Sequence, residues 1–105
     1  MLDLSPIYLT MATAILKQFI PEYEVWAFGS RVTGTARRYS DLDLAVITDQ
    51  PLDFGFLGEL RDAFSESDLP FKVDVVDWGS TSTEFREIIK RNYEVVQYGK
   101  KNHPD

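Results

Sequence analysis

The sequence predicts one small α/β (α+β) domain in which helices pack on a sheet of three or more strands. Its 105 residues are enough for a single hydrophobic core. Apolar residues make up 44% of the chain and aromatic residues 13%, which is typical of a globular protein. Segments of helical periodicity alternate with short runs of strand-forming residues, in the order α-β-(short α)-β-α-β-α. We therefore expect one domain over residues 1–105, with frayed ends at 1–4 and 100–105.

The first helix has a clear start and a clear end. Ser5 is a favourable N-cap, proline fits the first helical turn at Pro6, and Pro21 ends the apolar periodicity that runs to Phe19. The same patterns predict the next elements, which are a strand at 24–28, a short helix or loop at 32–39, a strand at 42–47, a helix at 54–65 and a strand at 71–76.

The last segment is predicted to form a third long helix. Thr81-x-x-Glu84 resembles a capping box, and Gly99 is a plausible C-cap. Apolar residues recur near helical spacing between these two points, at Phe85, Ile88, Ile89, Tyr93 and Val96.

Charge and composition exclude several classes of function. Eleven basic and seventeen acidic residues give a net charge of −6, so we expect no direct binding of nucleic acid. There is no cysteine, and the single histidine, His103, is read as a solvated tail residue. No apolar run approaches the ~20 residues that span a bilayer, and the start lacks the pattern of a signal peptide. We therefore expect no membrane association and a cytoplasmic protein.

Asp41 and Asp43 form a pair of acids at the start of the second predicted strand. Side chains alternate along a strand, so both carboxylates point to one face and repel each other. Such repulsion raises a pKa or demands a cation, and Mg²⁺ prefers carboxylate oxygens. The alternative is a solvated strand start, in which Arg37 and Arg38 balance the charge.

A third acid favours the interpretation of the acids as a cation site. Asp74 lies in the middle of the predicted strand at 71–76, where a carboxylate between valines is costly to bury unless it is paired or bound to a metal. Asp77 has the opposite parity and lies at the strand end, so we interpret it as structural. The candidate metal ligands are therefore Asp41, Asp43 and Asp74.

Gly29-Ser30 follows the first predicted strand. The pair is either a plain turn or an anion site, because glycine permits close backbone approach and the serine hydroxyl and nearby amides can bind phosphate. Arg31 is a further candidate contact for a nucleotide, and the alternative for its side chain is solvent. A phosphate site beside three acids fits metal-assisted phosphoryl or nucleotidyl transfer.

Gly29-Ser30, ten further residues and Asp41-x-Asp43 together resemble the G-S-x(10)-D-x-D signature of the minimal nucleotidyltransferases, the small members of the DNA polymerase β-like superfamily. Asp74, in the context VDVV, matches the third carboxylate of that family. The phrases VWAFGSR, YSDLDLAVI, FSESDLP, VDVVDW and FREII extend the likeness along most of the chain, and the motif shows no departure.

The resemblance implies a polymerase β-like fold, with helices packed on a small mixed sheet. It also implies that Asp41 and Asp43 bind divalent metal, two Mg²⁺ ions with Mn²⁺ as an alternative, and that Asp74 completes the site and acts as base. Gly29 and Ser30 would contact the triphosphate of ATP.

The resemblance further implies a partner, because larger relatives carry a second domain that this chain has no residues to build. In this group the partner is a small helical HEPN-type protein. The resemblance therefore implies that this chain forms an oligomer, either with copies of itself or with that partner. The leading hypothesis is an antitoxin that transfers AMP to a tyrosine of a HEPN-type toxin. Two alternatives stay open, which are nucleotidyl transfer to a small hydroxylated molecule and a non-catalytic antitoxin or nucleotide-sensing subunit.

Overall fold

A computed structural model describes residues 1–99 and contains a four-stranded mixed sheet. In chain order the elements are α1 (Pro6–Phe19), β1 (Glu24–Phe28), α2 (Ser30–Thr33), β2 (Leu42–Ile47), α3 (Phe54–Ser65), β3 (Val73–Asp77), a 3₁₀ turn (Trp78–Ser80), α4 (Thr83–Arg91) and β4 (Glu94–Gln97). The strand order is β3-β2-β1-β4. β1 is antiparallel to both of its neighbours, and β2 and β3 are parallel.

Helices cover both faces of the sheet. α1 and α3 bury Leu16 and Leu60 against a face that includes Leu44, and this is the main core. α4 packs on the other face, where Ile89 meets Phe28 and a small cluster of aromatic side chains. A mixed sheet with helices on both faces confirms the predicted fold class.

Most predicted elements are confirmed. α1, β1, β2 and α3 have the expected bounds, whereas α2 begins at Ser30, before the helix or loop predicted at 32–39, and overlaps only the start of that segment. β3 begins and ends slightly later than the predicted 71–76. None of the helices in residues 1–99 has the length and apolarity that a membrane span requires. The expected frayed end at 100–105, with His103, lies outside the described residues.

The N-terminal segment is held more firmly than the predicted fraying of residues 1–4 implies. The Asp3 N–H donates to the Arg31 carbonyl at 2.6 Å, and the Arg31 guanidinium donates to the Asp3 carbonyl at 2.9 Å. No local pattern predicts this pairing, because the two residues are 28 positions apart.

The cap of α4 differs from the prediction by one residue. Ser82 is the N-cap, and its Oγ accepts a hydrogen bond from the Phe85 N–H at 3.2 Å. Thr81 Oγ1 instead donates to the Asp77 carbonyl at 2.8 Å, which closes the turn after β3. The predicted capping box at Thr81 is therefore wrong, because Thr81 is already used by the preceding turn.

The predicted third long helix is wrong in its second half. α4 ends at Arg91, and the next residues form β4 on the outer edge of β1. Tyr93 and Val96 fit a helical period, but their spacing over so few residues does not exclude a strand. The segment forms a strand because it pairs with β1, and this tertiary pairing cannot be read from the local sequence pattern.

The end of β4 is fixed by contacts with the connection between α1 and β1. The Gln97 side-chain amide donates to the carbonyls of Ile20 and Tyr23, at 2.9 and 2.8 Å. At Gly99, an added Cβ would lie 2.4 Å from the Glu22 carbonyl oxygen. Gly99 therefore serves close backbone packing rather than the predicted helix cap.

Candidate active site

Three strand ends meet at one edge of the sheet. Because β1 is antiparallel to β2 and β3 is parallel to it, the end of β1 and the starts of β2 and β3 lie side by side. Asp43 pairs with Phe28 on one side and with Asp74 on the other. Directly paired residues share a face on strands about 4.8 Å apart. The topology therefore brings Asp43 and Asp74 together as the sequence predicted, next to Gly29.

Asp43 lies in an environment that disfavours its charge. Partial burial, and then the nearby carboxylates of Asp74 and Asp41, raise the pKa of Asp43 from 3.8 to about 6, and Lys72 offsets part of this effect. The raised pKa is the repulsion that was expected from the acid pair. A bound cation would relieve it.

Asp74 and Asp41 are more open to solvent. Asp74 Oδ1 lies 3.4 Å from Lys72 Nζ, and the Asp74 side chain is 43% exposed. Asp41 immediately precedes β2 and is also exposed. A cleft of about 740 Å³ opens on the side of β3, with both Asp43 and Asp74 in its lining.

The carboxylates have the chemistry of a site for a divalent cation, although they are not arranged as a complete set of metal ligands. Within residues 1–99, no group of three or more His, Cys, Asp or Glu side chains has the arrangement of metal ligands. The donors at this edge are all carboxylate oxygens, which suit Mg²⁺, and Mg²⁺ takes its other ligands from water and phosphate. Carboxylates that repel each other separate until a cation neutralises them. The donor set therefore fits the implied ion.

Gly29 stands against the acid pair. Its φ is +79°, which favours glycine, and a Cβ at this position would lie 2.3 Å from Asp43 Oδ2. The Gly29 carbonyl accepts the N–H groups of Val32 and Thr33 at the start of α2. The turn between β1 and α2 is thus in direct contact with Asp43 of β2. Only a residue without a side chain fits at position 29.

Arg31 does not occupy the place that was predicted for it. The residue is only 5% exposed, and its guanidinium donates to the carbonyls of Asp3, Arg38 and Ser40. Its Cζ lies 4.4 Å from the centre of the Phe71 ring. A guanidinium whose donors point to backbone carbonyls is not placed to bind a nucleotide. The structure therefore corrects this prediction and gives Arg31 a role in holding the loop that leads to Asp41.

Asp77 is structural, as the parity of β3 indicated. It is buried, and its Oδ2 accepts hydrogen bonds from the Leu52 N–H at 3.0 Å and from Ser80 Oγ at 2.8 Å. These bonds tie the end of β3 to the connection that follows β2 and to the 3₁₀ turn, at the opposite end of β3 from Val73.

Lys72 and Phe85 line the cleft but were not predicted from the sequence as site residues. Lys72 precedes Asp74 by two positions, so strand parity could have placed both side chains on one side. Phe85 lines the cleft from α4 and was read only as a core residue of that helix. Its partner is Phe28, which is adjacent in the chain to Gly29, and no pattern in the sequence links the two rings.

A glycine turn against an acid pair at the ends of three strands defines a small phosphoryl-transfer domain of the nucleotidyltransferase type. The chain belongs to the family described as polymerase beta, nucleotidyltransferase, whose profile matches residues 13–102.

Relatives and solved structures agree with this assignment. The chain is 55% identical over 96 residues to the probable protein adenylyltransferase MntA of Haemophilus influenzae, covering 91% of this chain and 84% of that protein. It is 28% identical to a chain in a crystal structure of a toxin–antitoxin with AMP-PNP, with a TM-score of 0.73 and coverage of 90% and 76%. A complex of a tri-AMPylated Shewanella oneidensis HEPN toxin with MNT antitoxin matches at 24% identity and a TM-score of 0.66, covering 91% and 74%, and supports the fold alone.

Proposed function

We propose that the protein is a metal-dependent adenylyltransferase that transfers AMP from ATP to a tyrosine hydroxyl of a HEPN-type toxin, and so acts as its antitoxin. The observation that carries the proposal is the Asp43–Asp74 pair beside Gly29 at one sheet edge. A relative that is 55% identical is named a probable protein adenylyltransferase, and a structural relative is a toxin–antitoxin with AMP-PNP. Both support protein AMP transfer over other reactions of the family.

In the proposed reaction, the tyrosine oxygen attacks the α-phosphorus of ATP. The new bond joins that oxygen to the α-phosphorus, and the bond from the α-phosphorus to the bridging oxygen of pyrophosphate breaks. Asp74 accepts the phenolic proton, since it lies in the open cleft and its carboxylate can reach an incoming hydroxyl. Gly29 and Ser30 hold the triphosphate on the side of β1, which leaves the side of β3 for the acceptor.

Asp41 and Asp43 would hold the metal, and Asp74 would complete its carboxylate ligands. Mg²⁺, when bound, neutralises the triphosphate and the developing charge of the leaving pyrophosphate. We expect two Mg²⁺ ions, with Mn²⁺ able to replace them, as in the family that the signature resembles. The acidic protein then binds an anionic nucleotide without a large basic surface.

The mass of a purified HEPN-type partner after incubation with this protein, ATP and Mg²⁺ tests the proposal. We expect a gain of one or more AMP groups on tyrosine, lost with Asp41→Asn and after removal of divalent ions by EDTA. Asp74→Asn should abolish transfer more than it weakens ATP binding, and a matched loss of both would instead make Asp74 only a ligand.

Other outcomes of this experiment would replace the proposal. A stable complex without any gain in mass would favour a non-catalytic antitoxin or nucleotide-sensing subunit. AMP transfer to a small hydroxylated molecule, dependent on the partner but leaving it unmodified, would favour the small-molecule enzyme. The cleft, with a volume of about 740 Å³, could also hold such a small molecule. The two reactions are therefore distinguished by which molecule carries the AMP.

A further inference from the structure

Phe85 lies beside Asp43 and Asp74 and has no role in the proposed reaction. Its ring meets the ring of Phe28 edge-on, with centroids 5.6 Å apart and planes at 81°. Phe28 is the direct cross-strand neighbour of Asp43. Phe85 is 36% exposed and forms part of the cleft wall. An apolar ring is thus displayed next to the carboxylates.

The position of Phe85 associates it with the acceptor rather than with the triphosphate. The cleft that it lines contains Asp74 but neither Gly29 nor Ser30. Gly29 and Ser30 follow β1, whereas Asp74 belongs to β3, on the opposite side of Asp43. A group that enters along the cleft therefore reaches Asp74 while it passes Phe85.

The surface of this wall suits one kind of hydroxyl. A phenol can pack its ring on Phe85 while its oxygen reaches the carboxylate, because aromatic rings pair favourably edge-on or offset at 4.5–7 Å between centroids. A serine or threonine side chain is too short to cover the exposed ring while its oxygen occupies the same place. Truncated acceptors forfeit this contact in the transition state as well as in the complex.

We propose that Phe85 is a specificity-determining residue that selects an aromatic hydroxyl, tyrosine, over aliphatic hydroxyls as the acceptor of AMP. This proposal rests on the proposed function and deepens it. Phe85 acts through contact with the ring of the acceptor and takes no part in proton transfer.

The test compares Phe85→Ala with Ile88→Ala, a matched control. Ile88 is on the same helix and 54% exposed, and it does not line the cleft. With ATP, Mg²⁺ and a HEPN-type partner, we expect Phe85→Ala to lower kcat/KM for the partner about five- to tenfold and to leave the KM for ATP unchanged. Ile88→Ala should change neither constant. Phe85→Trp keeps an aromatic ring and should retain transfer.

A second comparison replaces the acceptor tyrosine of the partner by serine. The wild-type enzyme should transfer AMP to serine at least about tenfold more slowly, and Phe85→Ala should have no further effect on that rate. Equal transfer to serine and tyrosine overturns the proposal. So does a rise in the KM for ATP, which would mean that the ring contacts the nucleobase, or a lowered melting temperature with unchanged kinetics, which would mean that Phe85 only covers Phe28.

A binding measurement separates this proposal from the proposed function. N-acetyltyrosinamide is titrated into the protein loaded with Mg²⁺ and a non-hydrolysable ATP analogue, and N-acetylserinamide is the control. Binding of the tyrosine compound alone, lost in Phe85→Ala, supports the proposal even if no partner is modified. If AMP transfer to the partner is observed but the tyrosine compound binds Phe85→Ala and wild-type protein equally, the function stands and the role of Phe85 is wrong.

Discussion

Asp43 is expected to destabilise the fold at neutral pH. Its pKa is raised to about 6, so the folded protein favours the neutral carboxyl more than the unfolded chain does. The unfolded chain releases this proton near 3.8, and the folded chain holds it to about 6. The free energy of unfolding therefore falls as the pH rises from about 4 to about 6, and the penalty is complete above that range. Asp43→Asn removes the charge and should stabilise the protein.

The size of the gain follows from the same two pKa values. The rise from 3.8 to about 6 corresponds to about 3 kcal/mol, at about 1.36 kcal/mol for each pKa unit. Asp43 is only partly buried, so solvent screening reduces the effect. After that discount we expect Asp43→Asn to raise the free energy of unfolding by about 1–2 kcal/mol at neutral pH.

Urea unfolding in the presence of EDTA measures this effect. We expect the midpoint for Asp43→Asn to exceed that of the wild type at about pH 7.5, and the two midpoints to converge at about pH 4, where both side chains are uncharged in the fold. Asp68→Asn is the control, because Asp68 is an exposed aspartate that does not line the cleft of Asp43 and Asp74. A less stable variant at neutral pH, or an equal gain at both pH values, would refute the account of Asp43. Added Mg²⁺ should then stabilise the wild type more than Asp43→Asn.

Four further substitutions distinguish residues of the site from residues that only stabilise the fold. Gly29→Ala should lower AMP transfer at least ~100-fold, because its Cβ would displace the Asp43 carboxylate. Gly34→Ala, with a similar φ and no atom within 4 Å of the added Cβ, should cost only about 1–3 kcal/mol of stability and retain transfer per folded molecule. Arg31→Met should lower the free energy of unfolding by about 2–4 kcal/mol and leave ATP affinity, measured by calorimetry at a temperature where it is folded, unchanged. Asp77→Asn should cost about 1–3 kcal/mol by urea unfolding, with normal transfer by the remaining folded protein.

The faces on which the acids lie could be predicted from the sequence because strand parity is a strong constraint. The alternation of side chains is enough to place Asp41 and Asp43 on one face and to separate Asp74 from Asp77. Parity does not show which strands are neighbours, however. That Asp43 and Asp74 are paired depends on a parallel β2–β3 register that no local pattern contains.

The failures have a common origin in tertiary contacts. β4 was read as helix because its few apolar residues fit both periods, and pairing with β1 decided between them. Arg31 was read as a nucleotide contact because it follows Gly29-Ser30, yet the carbonyls that receive its donors come from distant positions. Local sequence defines the chemistry of such residues and leaves their partners undefined.

The buried Arg31 has a consequence for how this enzyme can be remodelled. Its guanidinium holds the carbonyls of Arg38 and Ser40, which fixes the last residues before Asp41. Upstream, the Thr35 N–H is bonded back to the Ser30 carbonyl, so Ala36 lies between two closed turns. New segments inserted at Ala36 would leave both turns intact. This loop is therefore a place where the chain could be lengthened without moving Asp41.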